Sequence, residues 1–99
     1  MKKIVLFCSQ GMSTSMIVKK MQEASKEKGF DYDICAYGLS EVETIAPSAD
    51  YVLLGPQIRF QLDRVKSYCK CDIEVIDSRR YGLMDGASII DHIYEKIGD

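Results

Sequence analysis

Two unbroken apolar tetrapeptides, Ile4-Val5-Leu6-Phe7 and Tyr51-Val52-Leu53-Leu54, constrain this chain more than any other feature. A strand with one wet face alternates polar and apolar residues, whereas a strand covered on both faces reads as a continuous apolar run. Two such runs separated by helical stretches point to a parallel sheet with helices packed above and below it. Two further strand candidates are less apolar. Asp31 to Ala36 alternates, with Tyr32, Ile34 and Ala36 on one face, and Ile73 to Ile76 is interrupted by Glu74. The continuous runs therefore belong in the centre and the other two at the edges, which gives the order 2-1-3-4. Right-handed crossovers allow that order without crossing connections. The expected fold is α/β, a four-stranded parallel sheet with helices on both faces, forming one domain over residues 1–99.

The helical stretches fall between these strands. The first strand, Lys3 to Phe7, is followed by a helix from about Ser13 to Lys28, with Ile17, Met21 and Ala24 at helical spacing. Gly29 stands where a left-handed cap is usual. Ser40 to Ala46 predicts a short helix with Ser40 and Glu43 as a capping box and Pro47 closing it. Gly55-Pro56 ends the third strand, and a helix from about Gln57 to Tyr68 carries Ile58, Leu62, Val65 and Cys69 along one stripe. The last helix, about Asp85 to Ile97, carries Gly86, Ile90, Ile93 and Ile97 on one face.

The sheet order carries a functional consequence. The winding reverses between strands one and three, and open α/β sheets bind ligands beyond the carboxyl ends of the strands at that reversal. Those ends are Cys8 with the loop after it, and Gly55-Pro56-Gln57. The loop, Ser9-Gln10-Gly11-Met12-Ser13-Thr14-Ser15, holds one glycine and four hydroxyls and leads into a helix. Helix N-termini offer unpaired N–H groups and the positive end of a dipole, which favour phosphate. They also favour thiolate over thiol, which suits a cysteine that attacks phosphorus. The expectation is that Cys8 carries or attacks a phosphoryl group. The amides from Ser9 to Ser15 would form a nest around its oxygens, with Gly11 allowing the loop to curl. The hydroxyls of Ser13, Thr14 and Ser15 add donors or cap the helix, and at least one is expected only to cap.

Composition and the remaining cysteines exclude several rivals. A net charge of −2 and scattered lysines argue against a nucleic-acid binder. No apolar run approaches a membrane span, and the four apolar residues after Met1-Lys2-Lys3 are too few for a signal peptide, so a cytoplasmic location is expected. Cys8, Cys35, Cys69 and Cys71 show no disulfide framework. Cys69-Lys70-Cys71 lacks a second pair, and His92 is the only histidine, so neither a metal nor any other cofactor is expected.

A cysteine after the first strand, with a phosphate loop leading into a helix, is also similar to the low-molecular-weight tyrosine phosphatases with their Cys-x5-Arg loop, and the three-layer fold expected here is a phosphatase-like, Rossmann-like half. Here the arginine position is Thr14. Without a guanidinium to clamp the phosphoryl group, and with no recognisable acid motif, the loop suits storage and handing on more than hydrolysis. A phosphatase-like hydrolase is the enzyme alternative.

Cys8-Ser9-Gln10-Gly11-Met12-Ser13-Thr14-Ser15 resembles the Cys-Ser-x-Gly-Met-Ser-Thr-Ser loop of the enzyme IIB components of the lactose/cellobiose (chitobiose) class. These belong to the bacterial phosphoenolpyruvate:sugar phosphotransferase system. The resemblance continues through Asp50 to Ile58, Glu74 to Ser78, Tyr81-Gly82 and Asp85-Gly86. It implies a phosphocysteine at Cys8, which receives its phosphoryl group from a phosphohistidine of the IIA component. The acceptor is a β-linked disaccharide of the cellobiose, chitobiose or lactose type, presented by the membrane IIC component. The protein would thus be a sugar phosphotransferase, at the membrane only transiently, and nothing in the chain demands more than a monomer. Met12, Gln57 and Arg59 are candidates for partner docking. Tyr81 reads as structural, and His92, far from the strand ends, as no phosphate acceptor. The alternative from another class is a non-catalytic IIB-like regulatory module acting on a separate partner.

Overall fold

The computed structural model describes residues 1–9 and 11–98, except for the side chains of residues 11–14. Four parallel strands, β1 (Lys2–Cys8), β2 (Tyr32–Gly38), β3 (Tyr51–Leu54) and β4 (Ile73–Val75), form one sheet in the order β2-β1-β3-β4. This is the order expected from the burial patterns. The two continuous runs are the central strands, and each is wholly buried along its apolar tetrapeptide.

Successive residues of these strands divide between two cores, as the period of two requires. Ile4 and Leu6 of β1 join Tyr51 and Leu53 of β3 on one face, under helices α1 (Gly11–Glu27) and α5 (Gly86–Ile97). Val5, Phe7, Val52 and Leu54 point the other way, onto α2 (Val42–Ile45) and α3 (Leu62–Lys66). A polar residue at any of these eight positions would enter one core or the other, which is why both runs are unbroken.

Helix α1 ends as the sequence suggests. Gly29 has φ 74°, its N–H donates to the Lys26 carbonyl at 3.2 Å, and the Phe30 N–H donates to the Ser25 carbonyl at 2.9 Å. This is the Schellman pattern, and glycine adopts its left-handed residue at little steric cost. At the other terminus the helix starts at Gly11, earlier than the expected Ser13.

Three local expectations are corrected. Ser40 caps no helix: a 3-10 turn over Leu39–Glu41 precedes α2, and neither start has a side-chain cap. Glu43 instead accepts a hydrogen bond from the Tyr68 hydroxyl at 3.1 Å. Pro47 does not close the helix but lies in the following 3-10 turn, Ala46–Ser48. The expected helix from Gln57 to Tyr68 is a 3-10 stretch over Pro56–Gln61, kinked at Ile58 (φ −117°), followed by the five-residue α3. Ile58 and Val65 still share one core, so the apolar stripe survives the break. A further helix, α4 (Ser78–Gly82), was not anticipated; the Asp77 carboxylate caps it by accepting from the Arg79 N–H at 2.8 Å.

Candidate functional site

Cys8 is the last residue of β1, paired in register with Gly38 of β2, and only 4% exposed. It therefore belongs to the end of the strand more than to the mouth of a loop. Ser9 follows as an exposed residue, and Gln10 lies outside the described residues. With α1 beginning at Gly11, the segment joining thiol and helix is two residues long.

This shortens the expected nest and changes its nature. The amides of residues 11–14 are those of a helix's first turn, where N–H groups have no intrahelical acceptor. Gly11 thus opens a helix and does not form the curl of a long loop. The side chains of Met12, Ser13 and Thr14 lie outside the described residues. Ser15 is exposed. No acidic residue occupies the first turn, so no carboxylate of α1 competes for this end of the dipole.

The opposite wall comes from the end of β3. The Gly55 N–H donates to the Phe7 carbonyl at 3.0 Å, continuing the β1–β3 ladder to the residue before Cys8. Gln57 and Arg59 are both exposed on the 3-10 stretch that follows. The Gln57 Oε1 lies 2.9 Å from where a Cβ on Gly55 would stand, so the amide folds back over that glycine. The Arg59 guanidinium turns back to donate from Nη1 to the Pro56 carbonyl at 3.4 Å.

Tyr81, read from sequence as structural, does pack partly buried against the α1/α5 core. Its ring also reaches the site: Cε2 is 3.9 Å from the Cβ position of Gly55. Helix α4 thereby brings Ser78, Tyr81 and Gly82 against Pro56, Gln57 and Arg59 around an open cleft of about 330 Å³. Sequence reasoning missed this wall. The signal for it was Asp77, a residue suited to N-capping placed directly after the last strand.

The other titratable groups stand elsewhere. His92 Nε2 lies 2.8 Å from Glu74 Oε2. Glu74 also accepts from the buried Tyr51 hydroxyl, whose pKa is raised chiefly by burial. Cys69 donates from Sγ to the Val65 carbonyl at 3.3 Å. Burial raises the pKa of Cys35, with the Asp33 carboxylate adding to it, and also that of Cys69. Cys71 is pushed up to about 11 by burial first and then by Cys69, Asp50 and Asp72. Among the described residues no cluster of three or more His, Cys, Asp or Glu side chains could hold a metal ion. No helix there is long and apolar enough to cross a membrane.

Comparison with known proteins places this arrangement among relatives. A family model described as "PTS system, Lactose/Cellobiose specific IIB subunit" matches residues 3–92. The oligo-beta-mannoside-specific EIIB component of Bacillus subtilis (strain 168) is 42% identical over 89 residues, covering 87% of this chain and 86% of that protein. The galactose-specific EIIB component of Lactococcus lactis subsp. cremoris (strain MG1363) is 36% identical over 97 residues, covering 90% of each. Among solved structures, the cellobiose-specific IIB component of Borrelia burgdorferi superposes with a TM-score of 0.74 at 33% identity, over 91% of this chain and 85% of that one. The lactose-specific IIB domain of Streptococcus pneumoniae shares the fold, with a TM-score of 0.82 over 97% of each chain at 13% identity.

Proposed function

The chain belongs to the lactose/cellobiose-specific IIB family of the phosphotransferase system, and on that premise we propose that Cys8 is its phosphoryl carrier. IIB components of this system work with IIA and IIC components in sugar phosphotransfer. The observation that carries the assignment is the placement of one thiol at the end of β1, with two residues between it and a 17-residue helix, beside the point where the sheet's winding reverses.

Two in-line displacements follow. The Cys8 thiolate attacks the phosphorus of a phosphohistidine on IIA; the S–P bond forms, the N–P bond breaks, and its electron pair stays on the imidazole nitrogen. In the second step a hydroxyl oxygen of the sugar presented by IIC attacks the same phosphorus. The O–P bond forms, the S–P bond breaks to return the thiolate, and the hydroxyl proton leaves to solvent. Holding the partners in line and placing N–H groups against the equatorial oxygens are the protein's contributions to both steps. The donors are the amides from Ser9 to Ser15 (Gln10, Gly11, Met12, Ser13 and Thr14 between them), with hydroxyls assisting. Met12, Gln57 and Arg59 meet the partners. Thr14 in place of an arginine favours relay over hydrolysis. The acceptor is a β-linked disaccharide, and the protein acts as a cytoplasmic monomer that reaches the membrane only through IIC.

The test is phosphorylation by the upstream relay followed by mass-spectrometric mapping of the modified peptide. The expected result is one phosphoryl group on Cys8 and none on a Cys8→Ser variant that stays folded. A label on His92, or one retained in the variant, overturns the assignment.

A further inference from the structure

The cleft between the 3-10 stretch after β3 and helix α4 has a composition that phosphate binding alone does not require. Its six lining residues are Pro56, Gln57, Arg59, Ser78, Tyr81 and Gly82, and none is acidic. They supply an aromatic ring, an amide that both donates and accepts, a hydroxyl and a guanidinium. Arg59 has one N–H committed to Pro56 and others available. A pyranose presents matching chemistry, with an apolar C–H face for an aromatic ring and a rim of hydroxyls that both donate and accept. The volume of about 330 Å³ lies at the lower end of the range for small-molecule clefts, roughly 300–1,000 Å³, and suits one sugar ring with its exocyclic groups.

The position of the cleft matters as much as its chemistry. Tyr81 of its lining lies next to Gly55, whose N–H donates to the carbonyl of Phe7, the residue before Cys8. Neighbouring strands lie about 4.8 Å apart. The cleft therefore opens at the carboxyl end of β3, the strand adjacent to the one that ends in Cys8. Gly55 has ordinary extended backbone (φ −62°, ψ 145°), so it is not needed there for a left-handed turn. What its missing Cβ provides is room for the Gln57 amide next to the Tyr81 ring.

We propose that this cleft is a sugar subsite on the carrier itself, which grips one ring of the acceptor while its hydroxyl faces the phosphoryl group on Cys8. The proposal rests on the phosphocarrier reading and adds that sugar is recognised by this chain as well as by the membrane component. Arg59, Gln57 and Ser78 hold hydroxyls, and Tyr81 covers a ring face.

The test is titration of the isotope-labelled, unphosphorylated protein with cellobiose, mannobiose and galactose, followed by amide NMR. Sorbitol, a polyol without a ring, and inorganic phosphate serve as comparison probes. Saturable shifts at Gly55, Gln57, Arg59 and residues 78–82, with a dissociation constant on the order of 10 mM for at least one sugar, are expected. Tyr81→Ala should weaken that binding roughly tenfold. Because Tyr81 also packs against the core, Gly55→Ala is the second variant: its backbone accepts alanine, and the new methyl displaces the Gln57 amide. It should weaken sugar binding several-fold while keeping the folded spectrum. Equal response to sorbitol and sugars, response to phosphate alone, or no response to any sugar overturns the subsite. Phosphorylation of Cys8 by the upstream relay on the same sample reports separately on the carrier role.

Discussion

Gly86 lies directly against the backbone of Lys20: a Cβ on the glycine would stand 2.5 Å from the Lys20 carbonyl carbon and 2.6 Å from the Met21 nitrogen. The first residue of α5 is thus seated on the middle of α1, the helix that follows, after two intervening residues, the strand ending in Cys8. The obstacle is backbone, which no rotamer change relieves. Gly86→Ala should destabilise the protein by roughly 1–3 kcal/mol despite the better helix propensity of alanine. Urea unfolding monitored by circular dichroism checks this; an unchanged midpoint would mean that the two helices can separate freely.

The residue before it fixes the start of the same helix. The Asp85 carboxylate accepts from the Ser88 N–H at 3.1 Å as N-cap of α5. Asp85→Ala should cost about 1 kcal/mol, lowering the melting temperature by roughly 4–8 °C for a domain of this size, and Asp85→Ser should recover most of it. Thermal scans of the three proteins make the comparison.

Met84 has φ 52° between α4 and α5, a left-handed conformation that costs an ordinary side chain about 1–2 kcal/mol. It is partly exposed, at 37%, so little burial is lost on replacement. Met84→Asn, a residue that tolerates this region, should raise stability by about 0.5–1 kcal/mol. A fall in the melting temperature would show that the methionine's packing outweighs its strain.

Stability should also decline in alkali for a definite reason. Cys71 titrates at about 11 in the folded protein, above the ordinary thiol value of 9.0. The folded state therefore holds this proton more tightly than the unfolded chain. The contribution is fully present below about pH 9 and is lost as the pH rises through about 11. Cys71→Ala should flatten part of the decline between these values in urea midpoints; an unchanged slope would place the effect in other groups.

Thr14 stands where a phosphatase loop carries arginine. Thr14→Arg should shorten the lifetime of phosphorylated Cys8 in the absence of any acceptor by about tenfold, because a guanidinium would stabilise charge as water attacks. Decay of the phosphoprotein over time is the readout, and a lifetime equal to the wild type's would show that hydrolysis is limited elsewhere.

The parts of this molecule that could be read from its sequence are those encoded by local pattern. Ile4 to Phe7 and Tyr51 to Leu54 had to be central, because each alternate residue serves a different core. The weaker edges, marked by Asp33 and Glu74, followed. The misreadings lie where a local signal competes with a distant partner. Ser40 and Glu43 have the spacing of a capping box, yet Glu43 pairs with Tyr68, which only α3 brings near. The helix expected after Gly55 has the right stripe, but Pro56 starts a tighter turn and Ile58 leaves helical geometry. Helix α4, at five residues, is too short for periodicity to show.

By itself, then, the sequence determined the sheet, its order and the strand end at which Cys8 stands, because burial on one face or two leaves a period in the chain. It also pointed to a helix following that thiol. Only the tertiary structure decided how near that helix starts, with two residues between Cys8 and α1, and which distant segments wall the site. Tyr81 reaches Gly55, and Gly86 meets Lys20, through the shapes of packed elements far apart in the chain. Such contacts depend on close fit between surfaces, which propensity and periodicity do not encode.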